Sequence, residues 1–281
     1  MKLLVHPFFD PDTSSFTYVL VEPGSNVCAI VDPVLGYHLE TGVTSTTLAD
    51  RIVEFVKTNQ LIVEWILETH VHADHLSAAG YLKSRFVCAQ IGIGAKVVEL
   101  QKAMAEHLNA PIDTDGRQFD RLFEDGERIC LGHSCGRVLA TPGHTPACIS
   151  YAFDDLAFVG DAIFMPDFGS GRCDFPGGDP LILHASVQRL LALPDSCQLL
   201  TGHDYAPGGR PVQFSATVAE QRDHNIHLGG ATTAQEFAEM RNSRDATLDL
   251  PELMAVAVPF KLVAGAVEPG VLRATPEGLA A

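Results

Sequence analysis

Ile62-Val63-Glu64-Trp65-Ile66-Leu67 runs into Glu68-Thr69-His70-Val71-His72-Ala73-Asp74-His75. The apolar, β-branched run predicts a buried strand, and loops at strand ends are where sites are built. Three of the chain's twelve histidines fall within six residues here, with Asp74 between them. A run His-x-His-x-Asp-His sets four metal-ligating side chains on one short turn. Any imidazolium forms would repel one another without a cation to bind them. Isolated histidines are usually caps, surface groups or satisfied core residues, the reading given to His6, His38, His107, His133, His184, His224 and His227. For the cluster at 70–75 that reading fails.

Three more segments share this strand-then-ligand pattern. Val138-Leu139-Ala140 leads into Thr141-Pro142-Gly143-His144-Thr145-Pro146, where two prolines fix the loop presenting His144. Ala157-Phe158-Val159 ends in Gly160-Asp161, and Gln198-Leu199-Leu200 ends in Thr201-Gly202-His203-Asp204. Each alone is an ordinary turn signal. Together they imply a single site at one rim.

The surrounding chain is that of a globular protein. It has 281 residues, 46% hydrophobic, with 24 Gly and 17 Pro, which excludes disordered and collagen-like classes. No apolar run approaches a membrane span, so a soluble protein is expected. The net charge of −16 disfavours nucleic acid and anionic membranes as partners. The residues before Pro7 are too few for a signal peptide. Seven cysteines, an odd and scattered set without a Cys-x-x-Cys pair, predict free thiols in a cytoplasmic compartment, with Cys130 and Cys135 the pair able to face each other across a hairpin.

Strands are predicted near 3–9, 16–21, 27–31, 62–67, 86–89, 129–131, 138–140, 149–153, 157–159 and 198–200, and helices near 45–59, 76–85, 95–108 and within 212–247. The tail after Pro251 gives no clear signal. Strands and helices alternate without regular βαβ spacing, which favours a mixed α/β fold of one or two sheets covered by helices. No linker divides the chain, so one domain spans 1–281, with about 205–281 a partly helical C-terminal extension.

His-x-His-x-Asp-His, the Thr-Pro-Gly-His-Thr loop, the Gly-Asp strand end and the late Gly-His together resemble the metallo-β-lactamase superfamily over about residues 15–205. The resemblance implies an αββα sandwich of two mixed sheets with the metal at one edge. It also implies two metal positions, one using His70, His72 and His144, the other Asp74, His75 and His203, with Asp161 able to bridge.

After Asp161 comes Gly171-Arg172-Cys173-Asp174-Phe175-Pro176-Gly177-Gly178-Asp179, similar to the persulfide dioxygenase branch, with Cys173 where Thr or Ala is expected. That likeness implies one Fe(II) per chain held by His70, His144 and Asp161, a facial triad leaving open positions for a substrate sulfur and O2. Zinc could not supply the electrons. His72, Asp74, His75 and His203 would then orient ligands and water. The implied reaction oxidises glutathione persulfide to sulfite and glutathione. The implied partners are that small molecule and O2, with a homodimer as the assembly.

An acidic protein holding glutathione needs local cations. Arg172 is the first candidate, with a salt bridge to Asp174 or Asp179 as its structural alternative. Arg210 and Arg222 follow, and Tyr205 is placed to line a pocket. Gly132-His133-Ser134-Cys135-Gly136 fits a serine-hydrolase pattern, but the apolar stretch after it predicts a hairpin rather than strand-turn-helix. Gly92-Ile93-Gly94 lacks the third glycine of a dinucleotide fingerprint. Two other functions share the ligand set: a dinuclear zinc thioesterase of the glyoxalase II kind, and a non-catalytic metal or sulfur sensor.

Overall fold

The computed structural model describes residues 2–275. Among them the strands and helices alternate, in chain order, as β1 (Leu4–Asp10), β2 (Ser15–Glu22), β3 (Val27–Val31), β4 (Val34–His38), β5 (Val43–Ser45), α1 (Thr47–Thr58), β6 (Ile62–Leu67), β7 (Leu76–Ser77), α2 (Ala79–Arg85), β8 (Gln90–Gly94), α3 (Val97–Ala105), β9 (Arg121–Phe123), β10 (Arg128–Leu131), β11 (Ser134–Ala140), β12 (Ile149–Phe153), β13 (Leu156–Gly160), α4 (Pro180–Leu191), β14 (Gln198–Thr201), β15 (Ser215–Thr217), α5 (Val218–His224), α6 (Ala234–Asp245) and α7 (Met254–Leu262). The fold is mixed α/β, with several sheets.

Two compact units divide this chain. The first takes the chain up to Phe123, the short piece Cys130–Cys135 and the chain from Leu250; the second takes Glu124–Ile129 and Gly136–Asp249. Of the helices beyond residue 205, α5 and α6 fall in the second unit and α7 in the first.

In the first unit a sheet runs β1-β2-β3-β6-β8-β9. β3, β6, β8 and β9 pair in parallel, and β1, β2 and β3 antiparallel. The apolar runs of β3 and β6 suit strands covered on both faces. On α1, Leu48, Ile52, Val53 and Val56 recur at helical spacing and are buried, and Val256, Phe260 and Leu262 of α7 join the same core. A small sheet, β5-β4-β7, completes the unit.

In the second unit β11, β12 and β13 form an antiparallel meander, β14 runs parallel to β13, and β15 closes antiparallel to β14. Asp179 caps α4 by accepting from the Leu181 and Ile182 amides, with Pro180 at the first position. Thr217 with Glu220, and Thr233 with Glu236, form capping boxes on α5 and α6.

The structure corrects several expectations. Residues 86–89 are not a strand but the exit from α2, where Val87 is exposed. The strand is β8, which carries the Gly92-Ile93-Gly94 segment. A side chain at Gly92 would meet Phe123 Cε2 at 2.6 Å and Leu67 Cδ2 at 3.2 Å, so glycine is there for close packing. Leu76 and Ser77 pair with β4 before the helix begins at Ala79.

The cysteines are not all free. Cys130 and Cys135 are disulfide-bonded, with Cα atoms 4.0 Å apart, while Cys28, Cys88, Cys148, Cys173 and Cys197 are thiols. The reason is the hairpin: the two-residue turn at Gly132 and His133, with Gly132 at φ 56°, sets the two cysteines opposite each other. The hairpin tip is tied down as well. Trp65 Nε1 donates to the Cys130 carbonyl at 2.9 Å, the Gly132 amide to Glu64 at 3.1 Å and the His133 amide to Glu22 at 3.2 Å.

Candidate metal centre

Each unit carries buried histidines and aspartates close to one another. In the first unit, β6 delivers the Glu68–His75 loop, and the end of β3 delivers Asp32, at φ 48°. Asp32 organises the loop. Its carboxylate accepts from the Thr69 amide at 2.7 Å, the Thr69 hydroxyl at 2.8 Å and His72 Nε2 at 3.2 Å.

Those bonds fix the histidine tautomers. The Thr69 hydroxyl donates its proton to Asp32, so its oxygen accepts from His70 Nδ1, 2.9 Å away, which sets the lone pair of His70 on Nε2. His75 Nδ1 donates to the Leu76 carbonyl at 2.9 Å, which puts the Nε2 lone pair on the other side of the ring. His72 is reversed: Nε2 donates to Asp32, which sets its lone pair on Nδ1. The three rings are close, with centroids 3.7 Å apart for His70–His72 and 4.3 Å for His72–His75.

Beneath the loop lies a second layer that the sequence did not reveal. Glu68 and Lys261 are both buried, with Nζ 3.4 Å from Oε2, and Ser77 donates to the other Glu68 oxygen. His72 Nε2 stands 3.8 Å from Glu68. Burial first, and then the Glu68 charge, push the Asp32 carboxyl above its ordinary range; burial raises Glu68, and the Lys261 ammonium opposes the rise.

In the second unit His144, Asp161 and His203 converge. Asp161 Oδ2 is 3.7 Å from His144 Nε2 and 3.5 Å from His203 Nε2, and all three residues are buried. His144 Nδ1 donates to the Arg172 carbonyl at 2.7 Å, so Nε2 is the nitrogen turned toward Asp161. Gly160 has φ 51° at an irregularity in the β13 register, which turns Asp161 out of the strand. Tyr205 stacks on His203 with ring centroids 5.5 Å apart and is 45% exposed, as a pocket-lining group would be.

The arginines proposed for substrate carboxylates have protein partners. Arg172 holds Asp174 through two bonds of 2.6 Å and donates to the Asp249 carbonyl at 2.8 Å. Arg210 bridges Asp167 and Asp204, and Arg222 pairs with Asp195. Asp74 lies half-buried on the first unit's loop.

The donor set suits a divalent transition metal: neutral imidazoles with their second nitrogens hydrogen-bonded, plus carboxylates. Comparison with known proteins agrees. The metallo-beta-lactamase superfamily model matches residues 11–203. The chain is 45% identical over 275 residues to a probable metallo-hydrolase of Burkholderia pseudomallei, covering 94% of this chain and 93% of that one. It is 43% identical over 271 residues to Glyoxylase B2 of Dictyostelium discoideum (95% and 93% covered). It is 30% identical over 270 residues to the mitochondrial persulfide dioxygenase ETHE1 of Homo sapiens (95% and 91%). Among solved structures, ETHE1 from Myxococcus xanthus matches with a TM-score of 0.74 at 28% identity, covering 93% of this chain and 99% of that one.

Proposed function

The chain belongs to the metallo-beta-lactamase superfamily, and from that premise we propose that it is a persulfide dioxygenase working at one Fe(II) held by His70, His144 and Asp161. His72, Asp74, His75 and His203 complete the surroundings of that centre. The reaction takes glutathione persulfide, O2 and water to glutathione and sulfite, and the cytoplasm is its proposed location. No helix among the described residues is long and apolar enough to cross a membrane.

One observation carries this reading: the Gly171-Arg172-Cys173-Asp174-Phe175 segment, which marks the branch in sequence, is bonded to a ligand through His144 Nδ1 and the Arg172 carbonyl. Phe175 also stands against the His144 ring, centroids 5.2 Å apart. The relative named persulfide dioxygenase supports it too.

The residues divide the work. Asp32, Thr69, Leu76 and Arg172 hold four histidines in ligand-ready tautomers, so little reorganisation is needed when a metal enters. A redox-active ion bound there supplies the activation of O2 that side chains cannot. Phe164, Phe168 and Tyr205 form an aromatic wall beside His203. Such a wall limits water and can pack against a tripeptide thiol. Arg172, pre-oriented by Asp174, is the proposed anchor for a glutathione carboxylate, with Arg210 a weaker second.

A dinuclear zinc thioesterase is the second reading. It is favoured by the full set of seven ligands and by the relatives named metallo-hydrolase and Glyoxylase B2. Metal-to-protein ratios decide between them. With one iron, His203→Ala keeps its metal and loses about 10- to 100-fold in O2 uptake, while His144→Ala and Asp161→Ala lose both together. A wild-type ratio near two that falls on His203→Ala, with hydrolysis of S-lactoylglutathione and no O2 uptake, refutes the dioxygenase reading.

A further inference from the structure

On α6 of the second unit, Arg241 and Asp245 form an ion pair that takes no part in the ligand set. They are 1% and 4% exposed, with Nη2 2.6 Å and Nε 2.9 Å from the same carboxylate oxygen. Removing two charges from water costs roughly what their attraction returns, so such a pair needs further partners. Here the partners are backbone. Asp245 Oδ2 accepts the Cys173 amide at 2.8 Å, and Arg241 Nη1 donates to the Ser170 carbonyl at 3.3 Å.

Ser170 and Cys173 bracket Gly171 and Arg172, and the carbonyl of Arg172 receives the His144 Nδ1 proton. The bracketed segment has no slack on its other side. A side chain at Gly171 would run into the Asp161 carbonyl and stand 3.3 Å from His144 Nδ1. Two further bonds fix its approach: the Ser170 amide donates to His227 Nδ1 at 3.1 Å, and Asn225 donates to the Gly169 carbonyl at 3.0 Å.

We propose that Arg241 and Asp245 are positioning residues for His144, gripping the Ser170–Cys173 turn at both ends so that the Arg172 carbonyl holds the imidazole ring and its tautomer. A pair serving only to pack α6 would need no bonds to these two backbone groups, and an apolar pair would pack as well. The proposal rests on the reading of His144 as a metal ligand, whichever metal and reaction follow.

The test uses the full chain and Zn(II) alone as probe. Arg241→Met with Asp245→Leu removes both charges together and strands neither. With the fold intact by circular dichroism, Zn(II) affinity by chelator competition is expected to fall about 10-fold, the usual size for a change behind a ligand. In the metal-free protein, the His144 Nδ1 proton, protected from solvent exchange in the wild type by NMR, should lose that protection. Arg241→Met with Asp245→Asn, which strands no charge and keeps an acceptor for the Cys173 amide, should restore part of the affinity lost with Asp245→Leu. In a His144→Ala background the double substitution should change nothing further.

Unchanged affinity with a still-protected His144 proton overturns the proposal, as does an equal loss of affinity in the His144→Ala background. If the double variant does not fold, Arg241→Lys is read instead: it keeps the pair but gives up the arm to Ser170, and an unchanged affinity and His144 proton would again overturn the idea. A wild-type chain that takes up no Zn(II), or a His144→Ala variant that binds it as well as wild type, overturns the metal-centre reading instead, and the proposal with it.

Discussion

Replacing Lys261 by methionine removes an ammonium from beneath the first unit's histidine loop and leaves Glu68 buried without its cation. At 3.4 Å the Coulomb attraction of the pair is about 5 kcal/mol for an effective dielectric of 20. Breaking one side of a buried pair costs about 3–5 kcal/mol by mutation, in agreement. Methionine fills nearly the same volume, so a cavity adds little. For a chain of this length that loss lowers the melting temperature by about 5–10 °C. The assay is thermal unfolding of metal-free protein followed by circular dichroism, so that metal affinity does not enter. Glu68→Gln in the same chain removes the stranded charge, and the double variant should recover at least half the lost stability. A Lys261→Met shift under about 2 °C, or a double variant no better than the two singles added, would refute the claim that these groups compensate each other.

Arg172→Ala is expected to raise KM for glutathione persulfide by about 10- to 100-fold, the worth of a charge-assisted bond, with iron content unchanged; loss of iron or fold would instead assign the arginine to Asp174 alone. Thiol titration of denatured, air-equilibrated protein should find the five cysteines outside the hairpin, and two more only after reduction; seven without reductant would contradict the Cys130–Cys135 bond. Burial first, and then Arg241 and Arg244, hold His227 down to about 4 in the folded state. The unfolded chain therefore takes up a proton first, and stability contributed by the neutral ring is full above about pH 6.5, declines as pH falls to about 4 and is flat below. His227→Gln should flatten that decline in denaturant midpoints, and an unchanged slope would remove His227 from the account.

The His/Asp cluster was legible because the chemistry of metal binding restricts residue types at short spacing, as in His70, His72, Asp74 and His75. The groups that orient them were not. Asp32 is one aspartate at the end of an ordinary strand, and Lys261 lies 193 residues from its partner Glu68, a distance no local pattern can span. Arg241 and Asp245 sit four apart on a charged helix, where the same spacing usually marks a solvated face. Among the elements, α4 was missed although Asp179-Pro180 is a cap followed by a first-turn proline. The glycine-rich run before it masked the start. β8 was misplaced by four residues because Phe86-Val87-Cys88-Ala89 has the more strand-like composition, while packing against Phe123 selected Gly92 instead. The hairpin was anticipated, and so was the pair of cysteines it brings together.

The first unit is interrupted: the chain leaves it after Phe123, touches it again at Cys130–Cys135, and returns for good only at Leu250. On the ribosome, at about 5–20 residues per second, that detour lasts roughly 6–25 s. Throughout it the loop that bears His70, His72 and His75 has already been made, while Val256, Phe260 and Lys261 of α7 have not. Glu68 then has no ammonium to face and the core under the loop lacks its last apolar layer. The earliest-made ligands are thus among the last to be locked. A premature stop codon between His203 and α7 would leave all seven candidate ligands in the product and yet deny it a finished first unit, so the genetic lesions that abolish metal binding should extend some fifty residues past His203.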